Sequence, residues 1–181
     1  MQEEKGLKKQ EETWQKSLRW LTRTAVLLAL TLAFQMLGLP QPVTGPAVNA
    51  MLLLSAIFVG ALGGAVIGLF TPWIAFIRGI LAAPLGPMIP FIMIGNAALV
   101  LVFSAVRNAG RKALWAGVTG VVAGAVVKFL ILSSAVRYVV EVKPPIARAM
   151  QLPQLFTALT GGVIALAVAG AIQAAVRSRR D

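Results

Sequence analysis

Two cations interrupt long apolar stretches of this chain: Arg78 follows Trp73-Ile74-Ala75-Phe76-Ile77, and Lys128 sits between Val127 and Phe129. Inside a bilayer each would cost roughly 2.5–3.5 kcal/mol on insertion scales, so something must compensate it. A ligand carrying a carboxylate or phosphate is one such partner, because a buried cation without one is costly. Asn49, Asn96, Gln154 and Thr157 are the polar side chains placed to join the two cations. Trp73, Phe76, Phe91, Phe129, Tyr138 and Phe156 supply rings that could pack on a flat ligand. Apolar walls with a few oriented polar groups are what a small-molecule pocket needs. The competing readings are structural. Arg78, Lys128 and Arg137 could snorkel to the headgroups, and Asn49 and Asn96 could be helix-to-helix glue or caps.

Other chemistries lack their residues. The chain has no Cys and no His, which removes disulfides, thiol redox chemistry, Cys/His metal sites and imidazole acid–base work. No carboxylate lies between Glu12 and Glu141, so no proton relay crosses the apolar region. A phosphate-cradling G-x-x-x-x-G-K-[ST] loop is also missing, and no cofactor or metal is implied. An intramembrane enzyme therefore has nothing to work with. Energy for uphill transport must come from another subunit.

The elements that position these residues are membrane spans. Of 181 residues 58% are hydrophobic and 13% charged, with a mean hydropathy of +0.82, whereas a soluble domain is about one quarter charged. Breaks marked by Gly, Pro and charge predict helices over 20–38, 47–60, 63–81, 88–106, 113–138 and 153–176. The fold class is thus an all-α integral membrane protein, a compact bundle of about six transmembrane helices. It divides into a basic amphipathic, interfacial segment over 1–23, a membrane domain over 24–176 and a basic tail over 177–181. Lys5, Lys8, Lys9, Lys16, Arg19 and Arg23, then Arg107, Arg111 and Lys112, then Arg177, Arg179 and Arg180 all fall on one side if six spans are drawn. That side is cytoplasmic and holds both termini. The net charge of +11 is accordingly topology, with no nucleic acid as partner. Helical rise puts Arg78 and Lys128 each about 22 Å from the inner surface, at a shared depth in the outer third of the bilayer. Asn49, Asn96, Gln154 and Thr157 converge on the same layer.

Proline and small residues mark further points. Pro72 inside the third span should free a carbonyl near Gly68 that must find another partner. The run Gly38 to Pro46 cannot be helical throughout and reads as an external lid or a plain connector. Small residues recur at a spacing of four in Ala25, Ala29 and Ala33, in Gly60, Gly64 and Gly68, and in Gly120 and Gly124. Each stripe taken alone reads as internal packing.

The assembled features resemble the substrate-binding S component of energy-coupling factor (ECF) vitamin transporters. The likeness covers nearly the whole chain: six helices with both ends inside, the A-x-x-x-A first helix at Ala25, Ala29 and Ala33, and the Gly-rich run from Phe58 to Gly68. The runs Thr44 to Asn49 and Pro84 to Asn96 belong to it too. The resemblance implies a subunit of a prokaryotic plasma membrane that captures a small water-soluble vitamin or related micronutrient from outside. It implies docking through Ala25, Ala29 and Ala33 onto a membrane coupling subunit carried by two ATPase subunits. The nickel and cobalt branch is disfavoured, because its amino-terminal His is missing. A small aromatic or heterocyclic acid, or a neutral precursor, is the expected substrate. A small-solute channel would instead line a continuous pore with the same polar residues, and a scaffold would tolerate loss of Arg78 or Lys128.

Overall fold

The computed structural model describes residues 2–110 and 113–179. Among them every regular element is helical: α1 Gln2–Met36, α2 Gln41–Phe58, α3 Ala61–Ile77, a 3₁₀ segment Ala83–Met88, α4 Ile89–Ala109, α5 Ala113–Ser134 widening into a π turn over Ala135–Val139, α6 Pro144–Ala149 and α7 Leu152–Ser178. Five helical stretches are long and apolar enough to cross a membrane, and α3 is a shorter apolar helix of 17 residues. The result is an all-α, multi-pass membrane bundle. Arg111, Lys112 and Arg180 lie outside the described residues.

Three boundaries differ from the sequence expectation, each for a local reason. The amino-terminal segment is not a separate interfacial helix, since α1 runs unbroken from Gln2 to Met36. No Gly or Pro stands near residue 23 to turn the chain between surface and span. Residues 41–46 form the first turns of α2, not a loop or lid. Pro42 sits where a helix needs no N–H, so the proline that argued against helix instead starts one. Helix α3 stops at Ile77, and Arg78 caps it. Gly79 takes φ +70°, its N–H donates to Phe76 O at 3.0 Å, and Ile80 N–H donates to Ala75 O at 2.9 Å. That pair of bonds is the Schellman ending, which satisfies the last carbonyls before the chain turns.

The inner half of the bundle is solid. Leu52, Leu53, Ile67, Leu99, Val100 and Phe103 are all at most 1% exposed and form one apolar cluster. Glycines let its helices close up. A Cβ at Gly124 would stand 2.7 Å from Leu99 O, one at Gly120 2.9 Å from Phe103 O, and one at Gly64 3.0 Å from Ala56 N. The glycine stripes therefore bring α3 against α2 and α4, and α5 against α4. A second apolar cluster in the outer half comprises Met88, Leu132, Ala135 and Met150.

Candidate functional site

Lys128, on α5, is 3% exposed and lies at the centre of the outer half. Its Nζ donates to Asn49 Oδ1 and to Asn96 Oδ1, each at 2.7 Å. Both amides are held in that orientation from behind. Pro72 has no N–H to offer Gly68 O, and Asn96 Nδ2 donates to that freed carbonyl at 3.3 Å. The carbonyl released by the proline thus finds its partner on α4, as the sequence requires. Asn49 Nδ2 donates to Gly45 O at 2.9 Å and to Thr157 Oγ1 at 3.5 Å, while Thr157 Oγ1 donates to Gln154 O at 3.1 Å. Turning either amide over would set its NH₂ against the ammonium and its oxygen against a carbonyl. The polar chain therefore has one consistent arrangement.

Glycines permit this proximity. A Cβ at Gly95 would lie 3.4 Å from Lys128 Cγ, so the lysine stem runs close along α4. At Gly161 a Cβ would lie 2.6 Å from Pro46 O and 2.7 Å from Asn49 Cβ, and at Gly45 it would lie 2.8 Å from Thr157 Cγ2. Helices α2 and α7 consequently meet backbone to backbone, with Asn49 against Thr157.

Above Lys128 opens a cavity of about 520 Å³. Lys128, Asn49 and Asn96 form its floor, while Gln35, Gln41 and Gln154 stand around its rim. Helical rise separates the two levels: Asn49 is about 12 Å along α2 from the helix start, whereas Gln41 opens α2 and Gln35 closes α1. Aliphatic side chains such as Val48, Leu85, Ile92 and Met150 make up much of the wall. Gln35 is 9% exposed, and its Oε1 is buried without a hydrogen-bond partner. Below the floor come the fully buried Leu52, Leu53 and Leu99, so the polar lining ends in the apolar cluster. Lys128 has two neutral acceptors and, among the described residues, no carboxylate partner. Neutral carbonyls disperse a buried charge without cancelling it, which leaves the site prepared for an anion.

The residues singled out from sequence separate into two groups. Asn49, Asn96, Lys128 and Gln154 line the cavity, and Thr157 is buried behind Asn49. Arg78 and Trp73 are not brought to it. Arg78 is exposed at the end of α3, and Trp73 is 48% exposed with its ring edge-on to Phe70 at 6.5 Å. The shared depth computed for Arg78 and Lys128 treated both as mid-helix residues, and Arg78 is not one. Among the described residues no aromatic ring lines the cavity: Phe156 is 63% and Tyr138 81% exposed, Phe76 and Phe91 pack against the 3₁₀ segment and the outer cluster, and Phe129 stays half-buried beside Lys128. Sequence reasoning missed Gln35, Gln41 and Thr44. The signal was available, since two glutamines flanking Gly38-Leu39-Pro40 fall at the outer end under the same topology.

The first-helix stripe of Ala25, Ala29 and Ala33 is exposed along the outside of the bundle. Thr24, Thr31 and Gln35 face inward instead, the threonines satisfied by Trp20 O and Leu27 O on their own helix. Internal packing is thus not what these alanines serve.

Comparison with known families gives one finding. A family model described as ECF transporter, substrate-specific component, matches residues 19–176. No curated protein and no solved structure matches the chain.

Proposed function

This chain belongs to the ECF transporter substrate-specific components, which are substrate-binding subunits, and from that premise we propose that it captures a small water-soluble vitamin or related micronutrient. Capture occurs from outside a prokaryotic plasma membrane, in the cavity over Lys128. The unit that binds is residues 24–176, with the flanking segments 1–23 and 177–181 on the cytoplasmic side. Asn49, Asn96, Lys128 and Gln154 contact the solute, and Thr157 positions Asn49. Ala25, Ala29 and Ala33 offer a close-packing face to the membrane coupling subunit, and two ATPase subunits supply the energy. The observation that carries this reading is the blind cavity with a single buried, anion-deficient cation at its floor. A blind cavity suits capture and release better than continuous flow, which sets the channel reading behind it.

The test is to purify the chain in detergent, denature it and identify any small molecule released in stoichiometric amount by mass spectrometry. Wild type and Arg78→Met should release the same vitamin-like compound, and Lys128→Met should release none. Folded wild-type protein that is empty and ignores a vitamin panel would overturn the proposal.

A further inference from the structure

Charge, wall chemistry and depth in the cavity together narrow the substrate, given the capture reading on which this step rests. We infer that the ligand is a small organic monocarboxylate with a largely saturated body and a neutral hydrogen-bond donor at the end remote from the carboxylate. The charge count comes first. Among the described residues Lys128 is the only ionisable side chain in the lining. Its ammonium has three N–H donors, and two are engaged by Asn49 and Asn96, so one remains for a ligand oxygen. One carboxylate balances one ammonium. A phosphate monoester would bring about −1.5 to −2 charges at neutral pH and leave part of them uncompensated where water is scarce. A cationic ligand would meet Lys128 with no carboxylate to hold it.

The walls speak to the body of the ligand. With no Phe, Trp or Tyr among the described residues of the lining, a flat heterocycle finds no ring to stack on, and the apolar side chains of Val48, Leu85, Ile92 and Met150 fit a saturated chain or ring. The rim speaks to the other end. Gln35, Gln41 and Gln154 are neutral amides whose oxygens can accept from a hydroxyl, amide or ureido group on the ligand. Floor and rim lie about 12 Å apart by helical rise, which sets the spacing between carboxylate and donor. The aromatic or heterocyclic acid, or neutral precursor, expected from sequence followed from Arg78 and Lys128 at one depth and from the nearby aromatic residues, and of these only Lys128 reaches the cavity.

The experiment is calorimetry on the full chain in detergent with three acids and their uncharged counterparts: biotin and biotinamide, lipoate and lipoamide, pantothenate and panthenol. Thiamin, riboflavin and pyridoxal 5′-phosphate complete the set. One acid should bind about 30-fold or more tighter than its uncharged counterpart, the difference expected for a charge-assisted bond made out of water. This comparison needs no variant. In Lys128→Met the preference should collapse to about twofold, and Lys128→Arg should retain part of it. Tighter binding of thiamin, riboflavin or pyridoxal phosphate, or equal binding of acid and counterpart, would overturn the inference while leaving capture intact. If no compound binds, the molecule released on denaturation decides. A monocarboxylate upholds the inference, any other charge class overturns it alone, and no released molecule overturns capture with it.

Discussion

Helices α1 and α7 carry small residues at the same spacing of four and use them in opposite directions. Gly161, Ala165 and Ala169 of α7 are buried, whereas Ala25, Ala29 and Ala33 of α1 are exposed. Of an apolar 18-residue window in each span, 33% is buried in the span that contains α7 and 11% in the one formed by α1, against 44% for α2. Helix α7 is held in the bundle by its stripe. Helix α1 is attached by its other face, through Thr24, Leu27, Leu28 and Thr31, and leaves the alanines on the periphery. Spacing alone says that a close-packed face exists. Which face turns inward follows from what else the helix carries: threonines whose hydroxyls bond their own backbone, and a glutamine that reaches the cavity, occupy the inner side of α1.

The comparison breaks most sharply at Gly161. A side chain there meets Pro46 O, Asn49 Cβ and Ala50 N within 2.9 Å of its Cβ, and two of these three are backbone atoms. They cannot yield as a flexible side chain would. Gly161→Leu should destabilise the chain by roughly 3 kcal/mol or more, read as a lowered Tm or loss of monodisperse protein in detergent. A Tm unchanged by this substitution would mean that α2 and α7 do not meet as described.

A smaller effect is expected one turn earlier on the same inward face. Thr157 accepts from Asn49 Nδ2 and donates to Gln154 O, linking the floor amide to the start of α7. Thr157→Val keeps the shape and removes the hydroxyl, so stability should fall by about 1 kcal/mol. Ligand affinity should fall several-fold, because Asn49 then loses one of its two supports. Thermal unfolding and calorimetry on the same preparation check both expectations, and unchanged affinity would confine Thr157 to packing.

Much of this arrangement was legible in the sequence, and the reasons differ residue by residue. Pro72 required a partner for Gly68 O because a missing N–H is a covalent fact, and the partner proved to be Asn96, already singled out as polar in an apolar helix. Lys128 was legible on the same ground, since a cation deep in an apolar helix must be compensated. Arg78 was misplaced because hydropathy continues past it, while the end of α3 is set by the backbone freedom of Gly79. Gln35 and Gln41 escaped notice because they stand at helix ends, where a polar residue needs no explanation. The facing of the alanine stripe was out of reach, since a four-residue repeat marks a face and carries no sign for inward or outward.

That sign is what Ala29→Leu tests. In the isolated chain the added side chain extends from the outer surface of α1, away from Thr24, Thr31 and the cavity, into space that lipid fills. Stability should change by no more than about 0.5 kcal/mol, and ligand affinity should stay within about twofold of wild type. The consequence is reserved for the assembled transporter. Small residues at a spacing of four let a second helix approach closely, and a leucine at the middle position would hold that helix off. Uptake by proteoliposomes containing the coupling subunit and its ATPases should therefore be abolished while binding persists. If Ala29→Leu instead unfolds the isolated chain, α1 packs inward on its alanines and its likeness to α7 is complete. If it leaves both binding and uptake intact, the coupling subunit docks elsewhere, and the exposed stripe does no more than face lipid.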